Sequence, residues 1–319
     1  MRRHPRLLAE LVRQLLSAVV TLGILGTCVF FALRVLPGDP TSLILGDEAS
    51  SVARAELRHR LGLDASLGTQ WVRFFFGLLH GDMGESLVKP GVKAATVVAR
   101  SLVPTAELAT LAVLLGTLPG VLAAVLSVGI LGPRARSAVH VAILFAASVP
   151  LLAFGPFLTW LLAVHWAIVP LPGDPDSGLY GLLFPSSLLS VPLGAQVARV
   201  GRATLLDQSH AKYLDAARAR GASAPRVWFL HGLPVAAPAI VVIVAMQFGA
   251  LLGGAVVLER LFERPGLGTV MLESYRTRDL PVLQAAVIAA GALFVFAQMI
   301  AQLVQSAISP ERREERARD

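Results

Sequence analysis

The chain has one cysteine, three lysines and few charges of either sign: 15% of its 319 residues are Asp, Glu, Lys or Arg, against 55% hydrophobic. A single thiol, Cys28, excludes a disulfide framework and a thiolate metal site. It lies in an apolar run, where a free cysteine packs as a small hydrophobe. The scarcity of lysine bears on phosphate chemistry. A nucleotide-cradling loop needs Gly-x-x-x-x-Gly-Lys followed by Ser or Thr, but Lys89, Lys93 and Lys212 precede Pro90, Ala94 and Tyr213. Any ATP-derived energy must therefore come from separate subunits. The seven histidines are scattered without metal-ligand spacing, and neither His-Glu-x-x-His nor a Gly-x-Ser-x-Gly elbow occurs. The expectation is a non-enzyme, with no catalytic residue, cofactor site or metal site.

What the chain has in abundance is uninterrupted apolar sequence, with a mean hydropathy of +0.67. About 20 such residues cross a bilayer's hydrocarbon core as a helix. Six spans are expected, over Leu15–Val35, Pro104–Val128, Ala138–Val164, Leu179–Ala198, Val235–Val257 and Pro281–Ile308. Arg2, Arg3, Arg6 and Arg13 precede the first run, which is too long for a signal core and lacks a small-x-small cleavage site. It reads as an uncleaved anchor. The fourth span is the weakest, short and interrupted by Pro185 and Pro192, though membrane helices tolerate proline where neighbours satisfy the freed carbonyls. The fold class is thus an all-α membrane protein.

Charge placement orients the spans. Residues 1–14, Arg134 and Arg136, the stretch 199–226 and the tail 309–319 hold sixteen Lys/Arg against seven Asp/Glu. The opposite loops hold twelve against thirteen. The excess of basic residues puts both termini and the 199–234 segment in the cytoplasm. A pI near 10.4 therefore reflects topology, and no nucleic-acid partner is expected. The partition is a cytoplasmic N-terminus (1–14), span one (15–35), an external loop (36–103), a transmembrane domain (104–308) containing the 199–234 segment, and a cytoplasmic tail (309–319).

The external loop is too long to be a plain connector. Ser50 or Ser51 caps a helix over Val52–Leu61 with Gly62 as its stop. A second helix over Thr69–Leu79 aligns Trp71, Phe74, Phe75 and Leu78 on one face, suited to packing on a span, to the membrane interface or to a lid. The turn-rich stretch His165–Tyr180 carries Asp174 and Asp176, read as a solvated face or as contacts for a substrate amine or a delivering protein. Inside the spans ionisable groups are few. Glu107 lies a turn inside span two and Arg34 can snorkel at the end of span one, which argues against a proton-coupled carrier. Gln247 and Gln284 are candidates to line a pathway, with interhelical hydrogen bonding as their commoner use.

One polar stretch sits between oily ones: Tyr213–Pro234, YLDAARARGASAPRVWFLHGLP. Ala216, Ala217 and Ala219 favour a short helix, Gly221 ends it in a left-handed residue, and Ser223 or Ala224 caps a second helix with Pro225 at its start. Helix, forced turn and helix, with alanines that admit another backbone, make a docking element.

Asp215-Ala216-Ala217, Gly221, Leu233 and Pro234 keep the spacing of the Glu-Ala-Ala, Gly, Ile-x-Leu-Pro pattern in the permease subunits of binding-protein-dependent ABC importers, which this stretch resembles. Asp215 stands for the usual Glu and His231 for the Ile. Pro37-Gly38-Asp39-Pro40, Leu61-Gly62-Leu63-Asp64, His80 to Ser86 and Thr105 to Ala109 resemble the dipeptide/oligopeptide/nickel branch. Pro265-Gly266-Leu267-Gly268 and Arg278-Asp279-Leu280-Pro281 do so too. The resemblance implies a six-span type I importer permease in the bacterial inner membrane. Its implied partners are a second homologous permease, two ATPase subunits, an external substrate-binding protein and membrane lipid. It further implies an ATPase-coupling site formed by Lys212, Tyr213, Asp215, Ala216, Ala217, Arg218, Arg220, Gly221, His231, Leu233 and Pro234. The cargo it implies is peptide, with nickel or another small solute as the alternative; a secondary transporter is the rival class.

Overall fold

The computed structural model describes residues 4–35, 41, 45, 49–60, 62–254 and 256–308. Arg2 and Arg3, the Pro37–Pro40 motif, Leu61 and the tail from residue 309 lie outside them. Thirteen α-helices run in order among the described residues: α1 His4–Val35, α2 Ser51–Arg60, α3 Leu67–Leu79, α4 Ala94–Val125, α5 Pro133–Ser148, α6 Leu151–Thr159, α7 Tyr180–Asp207, α8 Lys212–Ala219, α9 Ala224–Val227, α10 Leu233–Gly254, α11 Val256–Leu261, α12 Leu267–Arg276 and α13 Leu280–Ile308. π-helical turns extend α4 (Leu126–Ile130) and α6 (Trp160–His165) and join α9 to α10 (Trp228–Gly232). Five helical stretches are long and apolar enough to cross a membrane, and a bent pair makes a sixth if it is one span.

That pair corrects the expected third span. The apolar run 138–164 breaks after Ser148, and its two helices meet at 96°. Val149 is extended (φ −64°, ψ 116°), as the residue before a proline is driven to be, and Pro150 then opens α6. The fourth span differs in the other direction. Despite Pro185 and Pro192, α7 is one helix of 28 residues.

The chain forms two compact units. One gathers the described residues up to Thr105 with Arg264–Val295; the other gathers Ala106–Glu263 with the described residues from Phe296. In the first, Ser50 Oγ accepts from Ala53 N (3.2 Å) at the start of α2, and Ser66 Oγ accepts from Thr69 N (3.3 Å) at the start of α3. The aromatic face of α3 packs on α1. Phe74 lies 5.5 Å from Phe30, and Trp71 Nε1 donates to Thr27 Oγ1 at 3.3 Å. Arg34 does not simply snorkel: its Nε and one terminal nitrogen both donate to Gln70 Oε1 at 3.1 Å. Cys28 is exposed, beside an apolar groove of about 410 Å³ lined also by Val20, Ile24, Trp71 and Phe75. Ala94, Val98, Leu267, Val282, Ala285 and Ala286 form this unit's core.

In the second unit α4 and α7 approach through glycines. A methyl group built on Gly116 would sit 2.7 Å from Ser190 O, and one on Gly120 would sit 2.6 Å from Gly194 O. Small residues four apart permit this backbone approach, the usual means by which helices associate in lipid. The contact runs alongside Pro192, in the part of α7 where its sequence looked weakest.

Candidate functional site

The docking stretch begins where α7 ends. After a turn at Gln208–Ala211, α8 runs Lys212–Ala219 and closes in a Schellman turn, with Gly221 N donating to Arg218 O (2.9 Å) and Ala222 N to Ala217 O (3.2 Å). Gly221 takes φ +82°, the left-handed value that glycine adopts without a Cβ penalty. Ser223 is the residue before α9, extended at φ −62° and ψ 154°, but its hydroxyl makes no capping hydrogen bond. The expected second helix is in fact the start of the fifth span. From Ala224 the helix passes through the π turn Trp228–Gly232 into α10 without a break.

Burial divides the expected coupling residues into two sets. Leu214 (0% exposed) and Ala217 (1%) insert into a core with Val125, Val128, Leu205 and Trp228. Lys212, Tyr213, Asp215, Ala216, Arg218, Arg220 and Gly221 are exposed and form one strip. Of the three alanines, therefore, Ala217 packs inward while Ala216 and Ala219 are exposed. His231 and Leu233 are half-buried and Pro234 exposed, at the entry to α10 and away from α8 in the chain. On the strip, Arg218 pairs with Asp215 at 2.7 Å. The Tyr213 hydroxyl donates to Gln208 Oε1 at 2.9 Å, and partial burial pushes its phenol above the ordinary range.

A second constellation was not legible beforehand. The loop after α3 turns on left-handed Gly81 and Gly84 and doubles back, with Ser86 N donating to Val92 O (2.8 Å) and Ala94 N to Gly84 O (2.9 Å). At its centre Ser86 Oγ donates to Asp279 Oδ2 and accepts from Val88 N (3.3 Å) and Lys89 N (3.0 Å). Leu87 N donates to Asp279 Oδ1 at 3.1 Å. Asp279 is only 4% exposed and directly precedes α13, whose N-terminal dipole favours a carboxylate. Two motifs far apart in the sequence are one clasp.

Gln284 is buried, its amide nitrogen without a hydrogen-bond partner, whereas Gln247 is half-buried. Asp174 spends its carboxylate on Asp176 N (2.9 Å), and Asp176 is exposed. Glu107 is exposed. No group of three His, Cys, Asp or Glu among the described residues is arranged to hold a metal.

Comparison with known proteins covers nearly the whole chain. Residues 116–314 match the family described as binding-protein-dependent transport system inner membrane component, and residues 7–119 match its N-terminal companion. The chain is 33% identical over 314 residues to a glutathione transport system permease protein of Shigella flexneri, covering 96% of this chain and 99% of that one. A protein of the same description in Salmonella paratyphi A is 34% identical over the same shares. A probable peptide ABC transporter permease protein of Sinorhizobium fredii is 29% identical over 309 residues, 95% of this chain and 98% of that one.

Proposed function

Because the chain belongs to the family of binding-protein-dependent transport system inner membrane components, we propose that it forms half of a translocation pathway for short peptides and is driven through α8 by a separate ATPase. It is a non-catalytic, multi-pass membrane subunit of a bacterial ABC importer in the peptide and glutathione branch. The finer reading is that a second homologous permease completes the pathway and two ATPase subunits lie on the cytoplasmic face. An external binding protein supplies the cargo, and both termini are cytoplasmic, as the basic loops favour.

The observation that carries the coupling role is the split of α8 into a two-residue root and an exposed strip. Leu214 and Ala217 fix the helix to the core at the ends of α4 and α7, while Lys212, Tyr213, Asp215, Ala216, Arg218 and Arg220 stay free for a groove on a partner. ATP binds better to the closed form of such an ATPase pair, and so biases a two-state permease through whatever the pair grips. Peptide cargo is favoured by the names of the relatives, one a peptide permease and two permeases for glutathione, itself a tripeptide.

Cross-linking tests this. In a Cys28→Ser background, Ala216→Cys should cross-link to a co-expressed ATPase subunit, and Leu214→Cys should not. Reconstituted vesicles should take up labelled di- or tripeptide only with ATP and binding protein present. Absence of any cross-link from the strip, or uptake by the purified chain alone along a proton gradient, would overturn the reading.

A further inference from the structure

Two of the three π turns among the described residues meet at one side chain. Trp228 opens the turn Trp228–Gly232 and is only 4% exposed. On one side its indole rests on Gly129, within the turn Leu126–Ile130: a methyl group built there would lie 2.0 Å from Nε1 and 2.7 Å from Cε2. On the other side is Gly232, whose built methyl would lie 2.8 Å from Cε3. Real Cβ atoms essentially never come that close, so the ring is wedged between two glycines and tolerates neither being alanine. The same core receives Leu214 and Ala217, the root of α8, and Arg218 holds its guanidinium 6.0 Å from the indole.

A tryptophan that merely filled volume would suit bulky neighbours with room to adjust. This one instead fits a notch with no slack, shared by two helix segments at the points where each carries an extra residue per turn. Such π turns are where a helix can gain or lose winding locally, and they recur at functional sites. Close-packed interiors pass a displacement on between discrete arrangements and do not absorb it gradually.

We propose that Trp228 is the positioning residue that transmits displacement of α8 to the Leu126–Ile130 turn and to α10. This deepens the coupling reading above and rests on it. When α8 is pulled, Leu214 and Ala217 shift the indole, and the indole moves Gly129 and Gly232 together because neither contact can lengthen or shorten on its own.

The test uses the complete importer in lipid vesicles, with Gly129→Ala, Trp228→Phe and the double variant. Three quantities are read: ATPase retained on the permease, ATP hydrolysed, and peptide taken up per ATP. Gly129→Ala should keep ATPase retention while uptake per ATP falls by about tenfold, the scale of a lost coupling between sites. The double variant should recover to within about threefold of the unaltered importer, since the smaller ring leaves space for the methyl and neighbouring substitutions are not additive. Unchanged uptake per ATP in Gly129→Ala would overturn the proposal. So would equal loss of retention and uptake in both the single and double variants, which is what a purely structural seat would give. If the unaltered permease retains no ATPase, the docking reading fails first, and this inference with it.

Discussion

The same Schellman turn closes α8 and α12, yet a glycine takes the left-handed position in one and an arginine in the other. Gly221 has φ +82° and Arg278 has φ +54°. The hydrogen bonds match: Gly221 N to Arg218 O and Ala222 N to Ala217 O in the first, Arg278 N to Tyr275 O (3.3 Å) and Asp279 N to Ser274 O (2.8 Å) in the second. The segment beyond each turn accounts for the difference. After Gly221 come half-buried Ala222 and exposed Ser223, with no side-chain cap hydrogen bond to hold the link into α9. After Arg278 comes Asp279, buried and bonded to Ser86 and Leu87, which holds the turn in place against the strain. Beyond its backbone bonds, the proposed docking segment thus relies on apolar contacts and a permissive residue, and the clasp on directional side-chain bonds. A joint made by packing can change arrangement without stranding a polar group. A buried carboxylate with two donors cannot.

The strongest way to break that comparison is to remove the carboxylate. Asp279→Ala leaves the buried Ser86 hydroxyl and the half-buried Leu87 N–H without their acceptor, a loss of about 2–4 kcal/mol by the usual cost of stranded donors to a charged partner. The purified protein should melt well below the parent, and trypsin should gain access at Lys93 in the 84–94 loop. Asp279→Asn, which keeps one acceptor oxygen, should lose less. If the alanine variant melts like the parent, the clasp contributes nothing and the contrast with the docking segment is void.

Exchanging the turn residues tests the comparison with a smaller effect. A β-branched residue at a left-handed position costs about 1–2 kcal/mol. Nothing lies within 4 Å of a methyl group built on Gly221, so Gly221→Val would act through the backbone alone. It should leave the spans inserted and cut transport relative to ATP hydrolysis, while Gly221→Asn, at ease in that conformation, should behave nearly as the parent. At the clasp the sign reverses: Arg278→Gly should raise the melting temperature, because it removes the strain and leaves Asp279 bonded. Equal uptake by Gly221→Val and the parent would mean that the turn transmits nothing.

How much could be read in advance depends on how far apart the deciding residues lie in sequence. The helix, left-handed stop and restart at 212–225 are local, and breakers and helix formers announce them. The first span and the aromatic face of α3 come from composition and spacing, and Gly62 ends α2 as its position suggests. The kink at Val149–Pro150 escaped because an apolar run averages over its own break, and a proline in a span signals neither a bend nor its absence. α7 carries two prolines and stays one helix; the α5–α6 run breaks ahead of Pro150. Beside Pro192, Gly116 and Gly120 press on Gly194, contacts no local pattern displays. Ser86 and Asp279 are 193 residues apart. Each sits in a motif that announces a turn, and a turn motif says nothing about which distant turn it meets. Trp228 was visible as an aromatic in the docking stretch, but its seat on Gly129 needed the fold.

The smallest expected change in stability belongs to Asp215, on the proposed docking strip. Asp215 pairs with Arg218 one turn along α8, both partners well exposed, and such pairs contribute only about 0.3–0.5 kcal/mol. Asp215→Ala should therefore leave the melting curve where it is. The carboxylate is nevertheless the only acidic group on a strip that also carries Lys212, Arg218 and Arg220. Removing it exposes an unbalanced row of cations to whatever the partner presents. Retention of the ATPase should weaken by about fivefold or more at low ionic strength, with a smaller gap at high salt, where exposed charges are screened beyond roughly 10 Å. Asp215→Glu should restore retention, since it returns the charge on a longer arm. Unaltered retention by Asp215→Ala at low salt, beside an unaltered melt, would make the strip an ordinary solvated helix face and move the search for the ATPase seat to the entry of α10, at His231, Leu233 and Pro234.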